Sequence, residues 1–93
     1  MKYGYGEKKD KLQNRLRRIE GQVRGISRMI EEGKYCIDIL TQISAVEAAM
    51  DKVALELLRE HTRHCLMNDA VGPADREEKV SEVVDAVGRL LAK

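Results

Sequence analysis

From Cys36 to Met67 the chain runs without a glycine or a proline. Within that run Ile39, Leu40, Ile43, Val46, Met50, Val53, Leu57 and Leu58 recur mostly at steps of three and four, the spacing that lines one face of an α-helix. The pattern predicts one long helix, and its length constrains everything else. A compact domain of about 100 residues has a radius of gyration near 13 Å, whereas a helix of this length reaches roughly 45 Å at about 1.5 Å per residue. A single 93-residue chain cannot cover such a rod, so the apolar stripe predicts assembly with further copies. The absence of Phe and Trp and the presence of only three Tyr thin the core further, leaving aliphatic side chains to supply the burial.

The same helix carries Cys36, His61 and Cys65. At about 100° per residue, spacings of 25 and 29 residues are close to whole turns, so the three fall within roughly 20° of one line. Roughly 43 Å of helix nevertheless separates Cys36 from Cys65, so one unbroken helix cannot bring all three together. Two such helices, packed antiparallel about a two-fold axis near Ala49 and Met50, place Cys36 of each copy opposite His61 and Cys65 of the other. The dimer then holds two equivalent Cys, His, Cys sites. His61 and Cys65 are four residues apart, a spacing that lets two side chains grip one ion. Two thiolates and an imidazole form a soft set suited to Cu(I), with zinc next, and zinc usually takes a fourth ligand. His64 points roughly 80° away from the line and reads as a surface residue.

Upstream, residues 7–32 repeat the helical pattern through Leu12, Leu16, Ile19, Val23, Ile26 and Ile30. Gly33 is placed to cap this helix, and a tight connection predicts an antiparallel hairpin with the long helix. Met1–Gly6 forms a short arm. Residues 68–74, with Gly72 and Pro73, read as a loop. Asp75 and Glu78 have capping-box spacing, ahead of a third amphipathic helix marked by Val80, Val83, Val84, Val87, Leu90 and Leu91. The whole of 1–93 reads as one all-α domain of three helices.

The formal net charge is only +1, but it is unevenly spread. Residues 1–28 hold nine Lys and Arg against three Asp and Glu, and residues 29–93 hold eight against thirteen. On the first helix the cations form two rows beside the apolar stripe, Lys8, Lys11, Arg15 and Arg18 on one side and Arg17, Arg24 and Arg28 on the other. Gly21 and Gly25 lie between the rows, where their cost in helix propensity is best explained by close approach of another molecule. Arg-rich surfaces bind phosphate backbones by charge and forked hydrogen bonding, so the candidate DNA contacts are Arg15, Arg18, Lys11, Arg17 and Arg24. A conventional helix-turn-helix fits poorly, because the second helix is too long to be a recognition helix. No apolar run suits a membrane and the N-terminus is polar and Lys-rich, so the expected compartment is the cytoplasm. No nucleophile-and-base pair or phosphate loop suggests an enzyme.

The stretch RLRRIEGQVRGISRMIEEGKYCIDILTQISAVEAAM, Arg15 to Met50, followed by His61, Thr62, Arg63, His64 and Cys65, resembles the bacterial CsoR/RcnR family of small all-helical repressors. The resemblance covers nearly the whole chain. It implies a three-helix protomer, an antiparallel four-helix-bundle dimer and a disc-shaped homotetramer that binds operator DNA and releases it on meeting an inducer. Branches of the family sense Cu(I), nickel or cobalt, formaldehyde, or reactive sulfur. Cys36, His61 and Cys65 are similar to the copper pattern, whose outer residues are a Tyr matched by Tyr35 and a Glu from the third helix. Glu82 is the candidate for that Glu, with Ser81 at the position an ungapped alignment gives. The resemblance therefore implies a copper-responsive repressor that releases copper-resistance or efflux genes. A second reading keeps the fold but makes Cys36 and Cys65 a thiol pair that senses reactive sulfur. Loss of His61 separates the two, damaging copper sensing and sparing sulfur sensing. A third, a metal-storage or chaperone protein that binds no DNA, is disfavoured by the basic first helix.

Overall fold

The computed structural model describes residues 8–66 and 73–92, with backbone alone for Cys65, Leu66, Pro73 and Ala74. The described residues form three helices, α1 (Lys9–Glu31), α2 (Cys36–Leu66) and α3 (Pro73–Leu91). The expected long helix is thus a single element of 31 residues. The N-terminal arm and the start of the expected loop lie outside the described residues.

α1 ends where Gly33 was expected to stop it. Gly33 has φ 68°, a left-handed conformation that costs a residue with a Cβ about 1–2 kcal/mol. Its N–H donates to the Ile30 carbonyl at 3.1 Å, and the Lys34 N–H donates to the Met29 carbonyl at 2.9 Å. These two bonds form a Schellman cap, which satisfies carbonyls that the helix leaves open. Two residues later, the Tyr35 carbonyl accepts the N–H groups of Asp38 and Ile39 at 3.1 and 3.2 Å, so α2 begins beside Cys36.

One compact unit consists of α1 with α2 as far as Glu56. Its helices run antiparallel, with Lys8 Nζ at the start of α1 standing 3.8 Å from Glu56 Oε1. The buried apolar side chains among the described residues are Leu12, Ile19 and Val53, all within this unit. Leu16 and Ile26 are half-buried, while Val23 and Ile30 remain 49% and 62% exposed. On α2 the residues Ile43 and Met50 are likewise exposed. The apolar stripe therefore divides: one half closes the hairpin, and the other half, spaced by sevens at Val23 and Ile30 and at Ile43 and Met50, faces outward.

The second compact unit combines α2 from Leu57 onward with α3. Of the expected stripe, Val83, Val87 and Leu90 are half-buried along α3, whereas Val80, Val84 and Leu91 are exposed. Glu60 is buried at 7% exposure, and its carboxylate lies 3.8 Å from the guanidinium of Arg63 one turn on. The start of α3 corrects the sequence reading. Pro73 and Ala74 belong to the helix rather than to a loop, and Asp75 sits in its first turn instead of capping it. Proline lacks the N–H that a first helical residue cannot use, and its fixed φ is already helical. Asp75 still favours the helix there, as a negative charge near the N-terminal end of the dipole.

Candidate metal and nucleic-acid sites

Cys36 is the first residue of α2 and is exposed with a free thiol. Tyr35, beside it, is exposed at 68%. His61 and Cys65 occupy the final turns of the same helix, so one continuous element carries the proposed donors near its two ends. Among the described residues no three His, Cys, Asp or Glu side chains gather into a ligand set. The Cys65 side chain lies outside that description.

The structure does bring together His61 and Glu82. His61 Nε2 lies 3.4 Å from Glu82 Oε1, while Glu82 Oε2 lies 3.6 Å from Lys79 Nζ one turn earlier on α3. The His61 side chain is about one-third exposed. A carboxylate against one ring nitrogen orients an imidazole. Of the two registers on α3, the structure thus places Glu82, one residue past Ser81, against the histidine.

On the α1–α2 hairpin the basic residues do not form a uniform face. Arg15 and Arg18 border a groove of about 460 Å³ that runs between the helices. Its floor is Ala45, Ala48 and Ala49, and α2 contributes a third cation, Lys52. Three small side chains at the spacing of one helix face leave this channel unfilled, and three cations line it. Arg24 lies elsewhere, beside Leu16, Val23 and Met50 in a second depression. Arg17 is held by its neighbour, its Nη1 donating to Asn14 Oδ1 at 2.8 Å. Lys11 is exposed on α1. The two basic rows of the helical wheel therefore separate into a groove with Arg15 and Arg18 and an apolar-edged surface with Arg24.

The groove also holds residues that reading α1 alone did not find. Lys52 belongs to a different helix, and only the hairpin register brings it to Arg15 and Arg18. The row Arg15, Arg18, Gln22 has the three- and four-residue spacing of one helix face, so Gln22 was visible in pattern but not in role. Its amide oxygen is enclosed and has no hydrogen-bond partner. The space beside Gly25 is open, and Gly21 meets only the end of Arg24 at 3.8 Å. Nothing in the protomer requires glycine at either position.

Comparison with known proteins identifies the family. A family model described as metal-sensitive transcriptional repressor matches residues 8–89. The copper-sensing transcriptional repressor RicR of Mycobacterium tuberculosis is 54% identical over 90 residues, covering 96% of this chain and 94% of that protein. The copper-sensing transcriptional repressor CsoR of Bacillus subtilis is 56% identical over 79 residues, 85% of this chain and 77% of that one. The crystal structure of the copper-sensing repressor CsoR with Cu(I) from Geobacillus thermodenitrificans superposes with a TM-score of 0.78 at 42% identity, covering 89% and 85% of the two chains. These are repressors rather than enzymes, and no described helix is long and apolar enough to cross a membrane. With three helices, no strand among its described residues and a family match across most of its length, the chain belongs to the metal-sensitive transcriptional repressors.

Proposed function

We propose that the chain is a copper(I)-responsive repressor that holds operator DNA when metal-free and releases it when Cu(I) binds, freeing copper-resistance and efflux genes. The observation that carries this reading is the placement of a soft donor set on one uninterrupted helix. Cys36 opens α2, His61 and Cys65 close it, and an antiparallel partner supplies what each end lacks. Cys36 of one copy with the partner's His61 and the partner's Cys65 would hold the ion, in a donor set that favours Cu(I). The names of the relatives support copper over the sulfur-sensing alternative.

Assembly follows from the outward half of the apolar stripe. Val23, Ile30, Ile43 and Met50 stand exposed in the protomer, and a second hairpin laid against them completes a four-helix bundle about the midpoint of α2. The cationic groove lies along a different set of residues, Arg15, Arg18 and Lys52. These hold phosphates, with Lys11, Arg17 and Arg24 adding charge to the same helix. Two dimers form the disc-shaped tetramer, and residues 1–93 act as one functional module.

Repression is then a linkage. Copper favours the form that binds DNA less tightly, and DNA lowers the copper affinity by the same factor. Glu82 and Tyr35 are the outer residues of this coupling, with Glu82 joining the histidine to α3. The deciding experiment is anaerobic titration of the reduced protein with Cu(I) against a competing chelator, with X-ray absorption of the product. One Cu(I) per protomer in a shell of two sulfurs and one nitrogen, abolished by His61→Ala, is expected. A shell without nitrogen would sink the copper site and turn attention to sulfur chemistry at the two thiols.

A further inference from the structure

Phosphate contacts fix a protein on a duplex but carry no sequence information directly, whereas base edges and DNA shape do. Arg15, Arg18 and Lys52 suit the first task. Of the side chains lining their groove, Gln22 is the neutral polar one. It follows Arg18 by one helical turn and is half-buried. Its amide oxygen is enclosed, and no hydrogen bond holds it there. Turning that amide outward breaks no bond to its oxygen, and the alanine floor leaves the channel open. An outward glutamine offers one acceptor and one donor in a plane, which matches the N6 amine and N7 of adenine in the major groove.

We propose that Gln22 is a specificity-determining residue of the DNA-binding groove: its amide pairs with an adenine edge while Arg15, Arg18 and Lys52 hold the flanking phosphates. The inference rests on the reading of the chain as a DNA-binding repressor. It assigns distinct work to neighbouring residues. The three cations set overall affinity and its dependence on salt, and Gln22 sets preference at one base pair without altering the charge of the surface.

The test is selection of binding sites from a random-sequence duplex library by the full-length, reduced, metal-free protein, repeated with Gln22→Met and Gln22→Leu. Circular dichroism confirms that each variant keeps its helices. The wild-type chain is expected to enrich a motif containing an adenine position, and both variants are expected to lose preference there by about 5- to 150-fold. Their affinity for duplex of unrelated sequence, and the slope of that affinity against salt, should not move. Variants that retain the full preference overturn the proposal. So does equal loss of affinity for every duplex, which would make Gln22 a packing residue of the groove. A wild-type chain that enriches no sequence overturns the repressor reading itself, an outcome distinct from wild-type and variant chains enriching the same motif.

Discussion

His61 Nε2 stands 3.4 Å from Glu82 Oε1, so the imidazole proposed as a metal ligand is already engaged by a carboxylate of α3. Nε2 is thus the ring nitrogen that faces α3. Such carboxylate–histidine pairs fix the ring and its tautomer. The other oxygen of the same carboxylate lies within ion-pair range of Lys79, so Glu82 faces α2 with one oxygen and its own helix with the other.

Replacing Glu82 by Gln should preserve Cu(I) stoichiometry, because the donors themselves remain. The drop in DNA affinity caused by copper should shrink by about 10-fold or more, the scale typical of residues that orient a metal ligand. Fluorescence anisotropy of a labelled operator, with and without Cu(I), reads this directly. An unchanged copper effect would remove Glu82 from the coupling.

Arg15→Ala and Lys52→Ala should each weaken binding to all duplexes alike. Each should also reduce the slope of log affinity against log salt by about 1, as expected for loss of one phosphate contact. Titrations at several salt concentrations separate this from unfolding. Lys52 is the sharper test, since it lies on α2 and no reading of α1 nominates it.

The shared donor set predicts complementation. Cys36→Ala and His61→Ala chains should each fail to bind Cu(I) tightly alone. Mixed, unfolded and refolded together, they should recover about a quarter of the wild-type sites, because random pairing gives half mixed dimers with one intact site in each isologous pair. Chelator competition on the mixture gives the number. No recovery would place the site within one chain or in a different pairing.

Gly33→Ala should destabilise the protein by about 1–2 kcal/mol, because a Cβ is imposed on a left-handed backbone. Denaturant unfolding followed by circular dichroism measures the change. Gly25→Ala tests the opposite case. Nothing stands within 4 Å of a Cβ there, so the helix should gain about 1 kcal/mol, and any loss of DNA binding would identify close approach by the duplex.

What could be read from the sequence was what helical periodicity controls. The unbroken α2, the stop at Gly33 and the packing of Leu12, Ile19 and Val53 all follow from spacing along a single helix. That Cys36, His61 and Cys65 lie along one helix follows from the same continuity, while the resemblance to the family rests on the motifs from Arg15 to Met50 and from His61 to Cys65. Relationships between helices were less accessible. Lys52 reaches Arg15 and Arg18 only through the register of the hairpin, and Glu82 rather than Ser81 meets His61 because of how α3 lies on the end of α2. Pro73 was misread as part of a loop because proline ends helices more visibly than it begins them, although the first turn suits it.

With the donor set shared between chains as proposed, the continuity of α2 makes abundance part of the sensor. A lone copy presents Cys36 and His61 near opposite ends of one rod, so the proposed donor set is completed only by an encounter between chains. Occupancy then obeys mass action in the protein as well as in the ion. At low copy number the threshold for response rises, and at high copy number it falls to the intrinsic affinity of the assembled pair. Synthesis of the repressor would thereby tune its own sensitivity without any change in its ligands.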